Sequence, residues 1–292
     1  MAKKNITDNN GQSVPIERFD LSKMVSHPSI VMIAKRGSGK SWAVKAIMHH
    51  FRKIPVGLVI APTDRMNCFY ANFFPDSYIF YSYNSNIIEK LLFRQLKIIE
   101  KNEQREKDGK RPIDSRAMIV MDDCLAQKGS WVRDGPIMEL LFNGRHYKIM
   151  YILTMQYPLG IIPELRTNFD YIFLMAEDFI TNLKRIHDHY AGMFPNFDSF
   201  RQIFSQLTEN FGALVIANRG ARKTFLEKIF WYRAPSLEDI EFKMGSNQFR
   251  DFHKENYDSG WRIKSQNKAF DINEYCANRK RSNAKFDVTK KM

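Results

Sequence analysis

An α/β fold, with a mostly parallel sheet flanked by helices, is what this sequence predicts, and three observations carry it. Short apolar runs rich in β-branched residues recur along the chain. Stretches with apolar residues at helical spacing lie between them, the alternation that builds parallel sheets covered on both faces. Hydrophobic residues make up 44% and aromatics 13% of 292 residues, enough to bury a sizeable core.

Taken in order, residues 1–26 read as a polar, flexible lead-in without the apolar stretch of a signal peptide. "SIVMIA" (29–34) is a buried strand. Val44, Ile47, Met48 and Phe51 then recur at i, i+3, i+4, i+7, which predicts an amphipathic helix after Ser41. "VGLVIAPT" (56–63) is a second strand and "YIFYSY" (78–83) a third. Ile88, Leu91, Leu92, Leu96 and Ile99 define a long helix that runs into a solvated, charged stretch ending near Arg116. "AMIVMDD" (117–123) is a strand ending in two carboxylates. A short helix near 135–144 leads to the strand "KIMYILTMQ" (148–156). "YIFLMA" (171–176), "GALVIAN" (212–218) and "EKIFWYR" (227–233) complete the strands, the last two as an antiparallel edge, with helices near 178–191 and 198–207. From Ala234 the apolar density falls, and "NRKRSNAKFDVTKK" reads as a basic, mobile tail. The expected division is therefore 1–26, 27–233 and a partly flexible basic extension at 234–292.

Charge is the outlier. Lys and Arg number 45 against 32 Asp and Glu, a formal +13. That balance favours a polyanionic partner, nucleic acid first and an acidic membrane surface second. Cys68, Cys124 and Cys276 are widely spaced and in no CxxC or Cys/His arrangement, which argues against a disulfide framework and against zinc. His49, His50 and His146 lack ligand-like partners. No run of about 18 apolar residues suggests a membrane span.

Four elements carry chemistry. "AKRGSGKSW" (34–42) fits a phosphate-binding loop, with Ala34 in the usual first glycine position, then Lys35, Arg36, Gly37, Ser38, Gly39, Lys40, Ser41 and Trp42. It lies between a predicted strand and a predicted helix, as the mechanism requires. Such a loop wraps backbone N–H groups around phosphate oxygens at a helix N-terminus. Lys40 would reach the β- and γ-phosphates of ATP, and the Ser41 hydroxyl would ligate Mg²⁺. In "MIVMDDC", Asp122 is placed to hold Mg²⁺ through water and Asp123 to orient or deprotonate the attacking water. Gln156, at the tip of the next strand, is the candidate γ-phosphate sensor, with Thr154 second. Arg145, in the turn before that strand, could act on a neighbouring subunit's nucleotide, with Arg166 as the alternative.

With these elements in order, the chain resembles the DNA-packaging ATPases of nucleocytoplasmic large DNA viruses, in the FtsK–HerA group of P-loop NTPases. "IAKRGSGKS", "MIVMDDC", "LLFNGRHYKI" and "YILTMQYP" carry the resemblance, over roughly residues 28–176. It implies a RecA/FtsK-like P-loop domain working as a homo-oligomeric ring, pentamer or hexamer, that hydrolyses ATP between neighbours and pulls double-stranded DNA into a preformed shell. Lys40, Ser41, Asp122, Asp123 and Gln156 would act in cis and Arg145 in trans. A capsid vertex or inner-membrane component would be the further partner. The host cytoplasm or the viral assembly site would be the location, with virion association as a further option. Ala34 for glycine, and Asp123 where the wider group has Glu, are the departures.

Two other functions share most of these features: a nucleic-acid-dependent helicase and a nucleotide-gated assembly protein at a capsid vertex. A GTPase is disfavoured because "ANRGARK" (217–223) fails the Asn-Lys-x-Asp pattern. A small-molecule kinase would gain nothing from so basic a chain.

Overall fold

The computed structural model describes residues 3–7, 13–124, 133–220, 224–258 and 260. It divides into two units, Met1–Asp251 and Phe252–Met292. The first holds β1 (Lys3–Thr7), β2 (Ser13–Glu17), β3 (Ser29–Ile33), α1 (Lys40–His50), β4 (Val56–Ile60), α2 (Asp64–Asn67), β5 (Ile79–Phe80), α3 (Ser85–Lys107) and β6 (Ala117–Asp122). It continues with α4 (Gly135–Asn143), β7 (Ile149–Met155), α5 (Pro163–Arg166), β8 (Tyr171–Met175), α6 (Ile180–Tyr190), α7 (Phe197–Leu207), β9 (Ala213–Ala217), α8 (Phe225–Lys228) and β10 (Ile229–Tyr232). Helix α9 follows at Asn247–Asn256.

Eight strands form one sheet in the order β10-β9-β8-β3-β7-β6-β4-β5. The run from β8 to β5 is parallel, while β9 and β10 add an antiparallel edge. The parallel strands are apolar almost throughout because both of their faces are covered. Alternate residues serve the two sides. Ile30 and Met32 of β3, with Met118 and Val120 of β6, meet Val44, Ile47 and Met48 of α1 in one core layer. Val31 and Ile33, with Ile119 and Met121, join the layer built by α3, α4, α6 and α7. Ile47 and Met48 are completely buried, and each such side chain contributes roughly 1.5–3 kcal/mol.

Three regions differ from the sequence expectation. The polar lead-in contains an antiparallel hairpin, β1 on β2, whose Ile6 and Ile16 are buried in the second core layer. Each strand buries one side chain, so neither shows an alternating pattern strong enough to read. The third expected strand shrinks to Ile79–Phe80, because Asp76–Tyr78 forms a turn of 3₁₀ helix before it. Beyond Ala234, Leu237, Phe242, Met244 and Phe249 are buried, so the first part of the basic extension belongs to the packed unit. The basic tail from Asn278, and Cys276, lie outside the described residues.

Candidate active site

The chemistry-bearing residues gather where β3, β7 and β6 end side by side. Pairing in register sets Met32 beside Thr154, and Asp122 beside Thr154 from the other side. Ala34 extends the ladder, its N–H donating to the Met155 carbonyl at 3.0 Å. The chain then turns through the loop into α1. Gly37 and Gly39 have φ of 74° and 93°, a region that side chains other than glycine's enter at a cost. At Gly39 a Cβ would also lie 3.1 Å from the Cβ of Phe211. Ser38 is buried and its hydroxyl donates to the Lys35 carbonyl at 2.7 Å, holding the loop's curvature. Lys35 pairs with Asp178. Arg36, Gly37, Ser41 and Trp42 face solvent.

Lys40 places its ammonium between the two carboxylates, 3.1 Å from Asp122 Oδ1 and in direct contact with Asp123 Oδ2. All three side chains are largely shielded, so their mutual attraction is little screened by water. Two adjacent carboxylates repel, and the shared cation offsets that repulsion.

The two aspartates differ in how well they are satisfied. Asp122 also accepts hydrogen bonds from the Thr154 and Tyr70 hydroxyls. Asp123 accepts from Gln156 Nε2 at 2.8 Å, and its N–H donates to the Thr154 carbonyl at 3.2 Å. Its other carboxylate oxygen, Oδ1, is buried without a hydrogen-bond partner among the described residues. The Asp123 backbone sits at φ 50°, which turns the carboxylate out of strand direction. Neighbouring Cys124 is no nucleophile: burial, with the two carboxylates beside it, pushes its thiol up to about 12.

The structure thus brings together Lys40, Asp122, Asp123 and Gln156 and sets Arg145 apart. Arg145 precedes β7 and so lies at the opposite end of the strands, about 20 Å away at some 3.3 Å per residue of a seven-residue strand. It is exposed on a firmly braced turn. The buried amide of Gln95 donates to the Tyr147 and Ser115 carbonyls, both at 2.6 Å, and the Tyr147 hydroxyl donates to Glu139 at 2.7 Å. Arg166 is buried instead, its Nε donating to the Ile161 carbonyl at 3.0 Å and its guanidinium 5.6 Å from the Tyr190 ring centre.

Residues 16–185 match the model of the Poxvirus A32 protein family. The chain belongs to that family. As an A32-family member it is an ATP hydrolase of the DNA-packaging group found in large DNA viruses. Over 239 residues it is 49% identical to uncharacterized protein L437 of Acanthamoeba polyphaga mimivirus, covering 82% of this chain and 83% of that one. It is 32% identical to uncharacterized protein 075L of Invertebrate iridescent virus 6, over 82% of this chain and 90% of the other.

Among solved structures, the genome packaging NTPase B204 of Sulfolobus turreted icosahedral virus 2 superposes with a TM-score of 0.51 at 16% identity, over 73% of this chain and 99% of B204. The pCW3 conjugation coupling protein TcpA gives 0.51 at 12% identity, over 86% of this chain and 70% of its own. At those identities the likeness concerns the fold. The family match covers the loop, both aspartates, Arg145 and Gln156.

Two contacts to the aspartates were not foreseen from the sequence. Thr154, read as an alternative phosphate sensor, has its hydroxyl on Asp122 and its carbonyl on the Asp123 N–H. Tyr70 gave no signal among the phenylalanines of "FYANFF", since it meets Asp122 only because β4 lies beside β6. Burial first, then the Asp122 carboxylate, hold its phenol well above the ordinary range, so it stays a donor. Tyr70→Phe keeps the ring and removes that donor from a charged acceptor. It should cost about 1.5–3 kcal/mol, read as a fall in the urea midpoint at unchanged slope.

Proposed function

We propose that this A32-family ATPase is a motor that uses ATP and Mg²⁺ to translocate double-stranded DNA into a preformed viral shell. The observation that carries the hydrolytic part is the unequal satisfaction of the two aspartates. Asp122 is held by three donors and suits a fixed electrostatic role. Asp123 keeps one carboxylate oxygen without a hydrogen-bond partner, and a general base for water needs such a free acceptor. Gln156 orients that carboxylate through its amide and stands where it can respond to the γ-phosphate. Lys40 exchanges its carboxylate partners for phosphate oxygens when nucleotide binds, which ties arrival of the substrate to release of the base.

The donor set fits Mg²⁺. The exposed Ser41 hydroxyl and the Asp122 carboxylate are hard oxygen ligands, few enough for an ion that retains water and phosphate oxygens. Bound there, Mg²⁺ would offset charge on the β- and γ-phosphates. Arg145, exposed and far from its own chain's loop, is suited to the nucleotide of a neighbour in a ring of five or six subunits.

The +13 charge supports DNA as the load, because a channel that tracks phosphates needs Lys and Arg but no base readers. Family membership supports an assembly-site location and a capsid-vertex partner. The test is ATP turnover with and without duplex DNA, together with displacement of a third strand from a triplex. Turnover should rise with duplex of any sequence, and apparent DNA affinity should fall on the order of 10³-fold between 50 and 200 mM salt. Strand separation of forked DNA without triplex displacement would make the protein a helicase. Turnover indifferent to DNA would make it an assembly protein.

A further inference from the structure

The turn between α7 and β9 carries two successive non-glycine residues in the left-handed region, Asn210 at φ 50° and Phe211 at φ 62°. Such backbone is retained only where the surroundings enforce it. Here they do. The Thr208 hydroxyl donates to the Phe204 carbonyl at 2.8 Å, and the Gly212 N–H donates to the Glu209 carbonyl at 2.9 Å. A Cβ on Gly212 would lie 2.2 Å from the Leu207 carbonyl oxygen, so only glycine permits that approach. The β1–β2 hairpin ties the turn from outside. Lys4 donates to the Gln206 carbonyl and pairs with Glu209 at 3.7 Å, and the Gln206 amide donates to the Thr7 carbonyl at 3.0 Å.

This rigid mount holds Phe211 63% exposed, directly against the phosphate-binding loop at Gly39. Direction matters too. The γ-phosphate residues Asp122, Asp123 and Gln156 lie at the ends of β6 and β7, to one side of β3. An extended nucleotide with its γ-end there must leave the loop on the other side, over β8 and β9. Phe211 stands at that exit. The one apolar, planar part of a nucleotide is its base.

We infer that Phe211 is the stacking platform for the purine base of the bound nucleotide, an inference that rests on the nucleotide-loop reading above. Residue 211 lies beyond the segment that matches the family model. Stacking uses the π-face that every purine has, so ATP and GTP should depend on it alike.

The test compares ATP with inorganic tripolyphosphate, which has the phosphates without the base, by calorimetry on the full chain with Mg²⁺. Phe211→Ala should raise the Kd for ATP about tenfold and leave that for tripolyphosphate unchanged, while Phe211→Tyr should bind both as the parent does. Equal loss of both ligands would reduce Phe211 to a support for the loop and overturn the inference. Unchanged ATP binding in Phe211→Ala would also overturn it, and would assign the exposed ring to a neighbouring protein surface. Should the parent protein bind neither ligand, the phosphate-loop reading itself falls; binding of tripolyphosphate by the parent keeps the two failures apart.

Discussion

Asp123→Asn should lower ATP turnover by about 10²- to 10⁴-fold while leaving ATP affinity nearly intact. The substitution isolates the proton-accepting function unusually well. Asn has the same shape and tolerates the left-handed backbone that residue 123 adopts, so no strain is added. Its side-chain carbonyl can still accept from Gln156. What disappears is the basic oxygen, together with one of the two anions that hold Lys40. Steady-state hydrolysis and equilibrium nucleotide binding, measured on one preparation, check the result. Turnover within threefold of the parent would remove Asp123 as the base and direct attention to Asp122.

Arg145→Ala carries the other large effect, a loss on the order of 10³- to 10⁵-fold in turnover with ATP still bound. The arginine is a sheet length from its own chain's carboxylates, so a cis role is geometrically closed to it. Mixing Arg145→Ala with Lys40→Ala subunits therefore gives a clean readout. Each is inactive alone, but a Lys40→Ala neighbour still offers its Arg145 to an intact loop. Partial recovery of hydrolysis in the mixture is expected, and its absence would exclude action between subunits. Because Gln95, Tyr147 and Glu139 brace the turn independently of residue 145, the truncation should leave the fold undisturbed.

The sheet's centre was legible because each of its elements is locally strong. β3, β6 and β7 are nearly continuous apolar runs, α1 shows a full helical period, and the polar residues that matter sit at or near strand tips. What escaped reading depends on contacts distant in sequence. Tyr70 reaches Asp122 across strand order, and Phe211 reaches Gly39 across the width of two strands. Ile6 and Ile16 are the lone apolar contributions of otherwise polar strands, and only burial against the sheet explains their placement. Leu237, Phe242 and Met244 follow no regular period, so spacing could not mark them as core.

The placement of Arg145 and the phosphate-binding loop at opposite ends of the strands also bears on symmetry. In the proposed ring, the face of one subunit that carries Arg145 meets the loop-bearing face of the next, which makes the contact heterologous. A two-fold dimer would form both pairs only if the loop and the arginine of each subunit lay in one self-complementary patch, spanning the full length of the strands. Repeated head-to-tail contacts either close into a cycle or continue as a filament, and only closure gives every nucleotide an arginine. An unclosed array would always leave one site at its end without one. Full activity per subunit should then appear only with the complete cycle.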